Sequence, residues 1–337
     1  MWEDVHQGAA QAERWHVPPL NRPVRQFFHG LSLPFYLLRA LWADPVARWR
    51  YLRVGLLQSM AVVALTLTCH GMGTRADEAT QNHVKLEIQL AADEFKKLPA
   101  TREFQFWASL FAAMQIAQWV VIALSRDYHD AIGRDVSLLT AIEPEDEPLT
   151  PRPRIDMKWV LTRVKRYVRG MLVILAGLPV LYALTAPLPN TDTLLAILLP
   201  LWSGYWLVVF TTAKSAQAWK DSTAAEPWFL RGWNRLTTRV PGFRWAFLQR
   251  YGAFWANRTR ELFPPASEME KQPWAYSGLA VVRALAELPL LKCFLRPLIP
   301  VAAAHLIVTR RTADPAKPPD VSVPPEQPAA GTSASAA

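Results

Sequence analysis

The sequence predicts an all-α, polytopic membrane protein with about four transmembrane helices, a C-terminal re-entrant helical hairpin and amphipathic interfacial helices. Three observations predict it. Uncharged residues cluster in windows of bilayer length: 16 residues over Val54–Cys69, 22 over Phe104–Ser125, and 20 each over Gly170–Pro189 and Leu194–Ala213. A helix needs about 20 apolar residues to cross a hydrocarbon core. Tryptophan is abundant, with 15 residues, while charged residues are only 19%, against about 25% in an average soluble domain. Basic residues also alternate along the chain in the manner of a membrane topology. Core helices of a soluble protein are the competing reading, but such helices show a polar stripe that these windows lack.

Taken in order, residues 1–50 form an N-terminal cytoplasmic and interfacial segment. No signal peptide is expected, because Met1–Gln26 has no apolar core and carries Glu3, Asp4, Glu13 and Arg14. Val24–Trp42 sets Arg25 and Arg39 among aromatics, and Pro34 is expected to interrupt a helix or to open one. Asp44-Pro45 reads as a helix cap with proline at the first helical position. The first window is slightly short, and Tyr51, Leu52 and a snorkelling Arg53 can extend it. Residues 51–310 form the helical membrane domain, with cytoplasmic loops 126–169 and 214–277. The Pro/Ala/Ser-rich tail 311–337 is expected to be disordered. Residues 170–213 can be two full spans or one deep hairpin with its tip at Asn190–Asp192.

Charge counts orient the chain. Lys and Arg number seven in residues 1–53, nine in 126–169 and ten in 214–277, against five in 70–103 and none in Asn190–Thr193. The positive-inside rule puts the basic loops, and with them both termini, in the cytoplasm. The expected location is the inner (plasma) membrane.

Gly278–Val308 is apolar but contains Arg283, Glu287, Lys292 and Arg296. Each arm of about 15 residues reaches roughly 22 Å, short of the ~30 Å core. A re-entrant hairpin fits, and such backbone is tolerated at depth only when buried in protein or lining a wet cavity. Arg283 and Glu287 are spaced to pair on one helix face. That leaves Lys292 and Arg296 as tip cations without a local acid, suited to an anion.

Between residues 219 and 260, tryptophans alternate with arginines. Trp219, Trp228, Trp233, Arg235 and Trp245 are candidate membrane-interface residues, because indoles favour the headgroup level and arginine favours lipid phosphate. Spans flank this loop on both sides, which favours lipid over nucleic acid as its partner. Gln58, Gln105, Gln115 and Gln118 lie within spans and either line a pathway or bond between helices. Arg126–Asp130, with Asp135, is the densest ionisable cluster. A solvated helix start is the plain reading, and a membrane-surface hydrolase using Asp127, His129 and Asp130 is the sharper one. The acidic run Glu143–Glu147 reads as a solvated linker. Two cysteines exclude a disulfide scaffold. No nucleotide-binding, hydrolase or metal motif is present, so no catalytic residue, cofactor or metal is expected.

The order of these features resembles the CysZ-like family of sulfate permeases, which includes the etoposide-induced protein relatives. Phe27-Phe28-His29-Gly30-Leu31-Ser32 is similar to the family's opening, and Ser125–Leu139 to its helix after the second span. Leu288-Pro289-Leu290, Arg296-Pro297 and Ala302-Ala303-Ala304 are similar to its closing segment. The resemblance covers about residues 24–310 as order and spacing. It implies spans mixed with partly penetrating hairpins, frequent oligomerisation, inward passage of sulfate, and an anion site at Gly30, Leu31 and Ser32. Backbone N–H groups at a helix start would suit such an anion. The expected function is therefore a passive small-anion permease or channel, with Gly30, Leu31, Ser32, Arg283, Lys292 and Arg296 at the anion. The alternative is a membrane-surface scaffold or membrane-shaping protein acting through the Trp/Arg loop.

Overall fold

A computed structural model describes residues 22–81, 99–186, 190–220 and 224–313, and every regular element among them is helical. The tail from residue 314 and Gly71–Phe104's middle portion, 82–98, lie outside the described residues. So does the side chain of Gln105.

Helix α1 spans Pro23–Ala43 and runs unbroken through Pro34. Asp44 then caps α2 (Pro45–Gln81), its Oδ1 accepting from the Val46 amide at 2.9 Å, as the Asp-Pro signal predicts. Helices α3 (Pro99–Leu124) and α4 (Arg126–Leu139) meet at Ser125. Asp156 caps α5 (Met157–Thr185) by accepting from the Lys158 and Trp159 amides. Helix α6 covers Thr191–Thr212. Helices α7 (Trp228–Arg239) and α8 (Ala246–Thr259) pack on each other as a lobe. Then come α9 (Phe263–Lys271), α10 (Pro273–Leu285), the short α11 (Leu291–Leu295) and α12 (Leu298–Ala313).

Three helices are long and apolar enough to cross a membrane, through Pro45–Thr68, Phe106–Leu124 and Thr191–Thr212. The fourth expected window, Gly170–Pro189, runs partly outside the described residues. Helix α5 carries Lys158, Arg163, Lys165, Arg166 and Arg169 in its first half, so its apolar stretch starts at Gly170 and includes Gly170–Tyr182. It pairs with α6: Gly177 lies under the Trp202 indole, whose Nε1 donates to the Ile174 carbonyl at 3.0 Å. Apolar side chains face outward along the spans, among them Leu57, Met60 and Leu67 on α2 and Trp107 and Ile116 on α3. Only 11% of the apolar window of α6 is buried. A buried core helix would cover these faces; their exposure is compatible with a membrane-spanning helix.

The core is the C-terminal hairpin. Helices α10 and α12 are joined through the 286–297 turn and α11, and they pack against α1, α4 and α6. Leu279, Val282, Ala302, Ala303 and Leu306 are fully covered. The tightest seam is α1 on α10. A Cβ on Gly30 would sit 1.8 Å from the Ala275 carbonyl oxygen, and one on Gly278 2.0 Å from that of Phe27. Only glycine lets the two backbones approach this closely. One stripe of α1, Leu33, Leu37 and Leu41, is thus buried in protein, while Phe28, Phe35 and Trp42 stay exposed on the other.

Candidate functional site

The hairpin tip enters between the two N-terminal spans. The Phe294 ring meets Tyr51 at 5.9 Å between centroids, and Tyr51 Oη donates to the Phe294 carbonyl at 3.1 Å. Gly55 makes room for that ring: a Cβ there would lie 2.3 Å from it. Cys293 is buried against Val62 of α2 and Ala117 and Val121 of α3. Gln115 Nε2 donates to the Glu287 carbonyl at 2.9 Å. From Gln115 to the end of α3 is about 14 Å of helix, so the tip reaches roughly the middle of that span. All these contacts fall on the first half of α2 and the second half of α3.

The tip charges are paired differently from expectation. Helix α10 stops at Leu285, so Glu287 lies in the turn and forms an ion pair with Lys292. Lys292 therefore has a local acid. Arg283 instead reaches α6, donating to Thr211 Oγ1 at 3.1 Å and, at the limit of hydrogen-bond distance, to the Leu207 carbonyl at 3.5 Å. Arg296 stacks over the Trp159 indole at 6.0 Å, and Arg126 over the same ring at 5.5 Å. This cation–π pair ties the hairpin to the α3–α4 elbow and to the start of α5. The tip as a whole carries Arg283, Lys292 and Arg296 against Glu287 alone.

Gly30, Leu31 and Ser32 lie in the interior of α1, not at a helix start. Their amides are within the helical ladder, and Ser32 Oγ donates to the His29 carbonyl at 3.1 Å. The helix-start geometry expected for anion binding is absent there. Gly30 serves the seam with α10.

Around Arg126 the acids are all paired: Asp130 with Arg126 at 3.3 Å, Asp156 with Arg126 at 3.7 Å, and Asp127 with Arg154 at 3.1 Å. Asp135 pairs with Arg50 at 2.7 Å. His129 is 4% exposed, and neither ring nitrogen has a hydrogen-bond partner. Burial, and then the Arg296 charge, push its pKa down to about 3, so the imidazole stays neutral. No His–Asp dyad forms here. Burial raises the Asp130, Asp135 and Asp146 carboxyls above their ordinary range.

The interface candidates divide. Trp228 and Trp245 are exposed, as are Phe247, Phe254 and Arg235, and the Trp245 and Phe247 rings lie 5.4 Å apart. Trp233 turns inward, its Nε1 donating to the Leu248 carbonyl at 3.0 Å across the α7–α8 seam. Trp219 is partly exposed and donates to the Ala213 carbonyl at 3.1 Å.

Three carboxylates escaped the sequence reading. Glu268 is 2% exposed and holds Arg310 at 2.6 Å, Lys271 at 2.8 Å and Arg311 at 3.8 Å. It clamps the start of the hairpin to its end. Glu270 accepts from the Trp228 amide and from Arg231, both at 2.7 Å, and so docks the lobe. Glu145 belongs to the supposed solvated run, yet it accepts from Ser215 Oγ at 2.5 Å and from the Ala216 and Gln217 amides at 2.7 and 3.1 Å. An acid flanked by Glu143, Asp146 and Glu147 gives no local sign of such distant partners. Among the described residues no group of three His, Cys, Asp or Glu side chains could hold a metal.

Compared with known proteins, the chain matches no family model, no curated protein and no solved structure.

Proposed function

We propose that the protein is a helical membrane protein providing a passive path for a small anion, sulfate first, beside its C-terminal hairpin. The observation that carries this reading is the hairpin tip itself. It holds an excess of cations, Arg283, Lys292 and Arg296 against Glu287, and packs between helices α2 and α3 about halfway along α3. Charged groups at membrane depth are costly and mark solute pathways. The tip contacts belong to the ends of the spans that adjoin the basic loops, so the hairpin would open toward the cytoplasm. The resemblance to the CysZ-like permeases adds support from the order of elements alone. The test is uptake of radiolabelled sulfate into proteoliposomes. The protein should exceed empty liposomes, and a Lys292→Ala, Arg296→Ala double variant should lose the excess. Equal uptake by protein and empty liposomes ends the reading.

A second reading, a membrane-surface scaffold, is favoured by the α7–α8 lobe. Its exposed residues include Trp228, Trp245, Phe247 and Phe254 along with several arginines, the composition of a lipid-headgroup surface. Its test is protection of residues 240–250 from hydrogen exchange in nanodiscs with and without anionic lipid. Equal exchange in both would remove its basis.

A further inference from the structure

We infer that the buried amide cluster beside the hairpin tip, built by Gln58, Ser59 and Gln118, is a binding site for a small oxyanion. The inference rests on the permeation reading and locates its solute. Gln58 is 4% exposed and Gln118 fully buried, yet no Nε2 or Oε1 of either amide has a hydrogen-bond partner, and neither does Ser59 Oγ. Among the described residues, the one polar group within their reach is the Cys293 thiol, which Ser59 and Gln118 approach as weak sulfur hydrogen bonds too long or bent to satisfy them. A thiol is a weak donor and a weak acceptor, and it leaves the amide unsatisfied.

The groups converge from three elements. Gln58 shares a face of α2 with Gly55, which meets Phe294, and with Val62, which packs on Ala117, Val121 and Cys293. Gln118 stands beside Ala117 on α3. Had these amides served only to bond the helices together, each would show a full-strength partner across the seam rather than a thiol at most. Gln115, one turn away, does: it reaches the Glu287 carbonyl. An amide left open at this depth is costly, so the site has a use for its free donors.

The charge around the cluster selects the sign of the ligand. Arg296 is close enough for its charge to act on Cys293, and Lys292 is the neighbouring residue. A cation held by the amide oxygens would face this field, whereas an oxyanion is drawn in by it and takes hydrogen bonds from the two amide NH2 groups and the Ser59 hydroxyl. Neutral donors also suit passage. Direct bidentate arginine contacts hold an oxyanion strongly, and conduction requires a site weak enough to release it.

The experiment uses the full chain and inorganic sulfate as the probe, read both as binding to purified protein and as uptake into proteoliposomes. The variants are Gln58→Leu with Gln118→Leu, and Thr66→Val as a polar-to-apolar control on the same buried stripe of α2, where Thr66 is already bonded to the Val62 carbonyl. The expected result is sulfate binding at least about tenfold weaker in the double variant, uptake lost with it, Thr66→Val unchanged, and a melting temperature no lower than that of the unmodified protein. Binding and uptake undiminished in the double variant overturn the site while permeation stands. Weakened binding accompanied by a drop in melting temperature also overturns it, because the amides then hold the fold. If the unmodified protein neither binds nor passes sulfate, the permeation reading falls and takes the site with it.

Discussion

The C-terminal hairpin and the α7–α8 lobe are made of the same materials and use them in opposite ways. Both are helix–turn–helix pairs that mix apolar side chains with basic ones. In the hairpin α12 is almost wholly covered by protein and α10 buries one face through Ala275, Tyr276, Leu279, Ala280 and Val282, leaving Trp274, Val281 and Leu285 on the other. The basic residues answer to named partners: Arg310 to Glu268, Lys292 to Glu287, Arg283 to Thr211. In the lobe the aromatics Trp228, Trp245, Phe247 and Phe254 remain exposed, and Arg235, Arg239, Arg250, Arg258 and Arg260 form no ion pair among the described residues. What separates the two is backbone approach. Gly30, Ala275 and Gly278 let the backbone of α1 lie directly on that of α10, whereas in the lobe Gly252 makes room only for the side chains of Trp233 and Asn234, and Gly232 and Gly242 have nothing near them. A closely approached helix becomes core. One without such a seam keeps its apolar face for another surface.

The largest effect should come from breaking that seam. Gly278→Leu would drive a side chain into the backbone at Phe27 and Leu31, atoms that cannot move aside. The expected cost exceeds about 3 kcal/mol, seen as loss of the monodisperse peak in detergent and of the cooperative melt. Gly204→Ala, on α6 with no neighbour within 4 Å of the added Cβ, should leave both unchanged.

Next in size is the clamp. Glu268→Gln leaves Arg310, Lys271 and Arg311 without their buried acceptor. Removing one member of a buried ion pair costs about 3–5 kcal/mol, discounted here because Lys271 and Arg311 are partly exposed and can turn to solvent. Thermal unfolding should show it, and a Glu268→Gln protein melting with the unmodified one would mean that the hairpin closes without the clamp.

Acid should loosen the hairpin through His129. Its pKa is near 6.5 in the unfolded chain and about 3 in the folded one, so between those values the unfolded state binds the extra proton. Stability is present above about pH 6.5 and falls as pH drops, with a limiting slope of about 1.4 kcal/mol per pH unit. Asp130, Asp135 and Asp146 act oppositely. Their raised pKa values make the folded state the stronger proton binder in the carboxylate range, so the histidine effect is cleanest from about pH 6.5 to 5. His129→Leu should flatten the acid limb of a melting-temperature profile, and an unchanged limb would contradict the burial of a neutral imidazole.

The same contrast explains what the sequence could announce. Helices of bilayer length, the two short hairpin arms and the Asp44-Pro45 cap are local properties of composition and spacing. Of the four windows expected to span, the described residues form three helices long and apolar enough to do so, and the arms and the cap are present. The break in the hairpin was expected at Lys292–Arg296, yet helix α10 already ends at Leu285, and this two-turn difference turned an expected Arg283–Glu287 pair into Glu287–Lys292. Gly30 was singled out for its neighbours in sequence, but its role is set by Ala275, far along the chain. Glu268 and Glu145 have partners 42 and 70 or more residues away. Pairing over such separations is a property of the fold, and no periodicity encodes it. In the lobe, exposure at Trp228, Arg235 and Trp245 follows from local composition, whereas Trp233 is turned inward by a partner on α8 that its neighbours in sequence do not announce.

The smallest effect sharpens the comparison from the lobe's side. Gly232 lies inside α7, is exposed, and would give an added Cβ open space. Alanine there should gain about 1 kcal/mol or less through helix propensity, the reverse of the outcome at Gly278. Trp245→Ser with Phe247→Ser should likewise spare the melt, since both side chains are exposed, while lowering protection of residues 240–250 in anionic nanodiscs. Protection should also weaken with salt, because the arginines act through screened attraction to headgroups. If these serines instead lowered the melting temperature, the lobe's aromatics would be packing on protein, and the distinction between a covered hairpin and a lipid-facing lobe would dissolve.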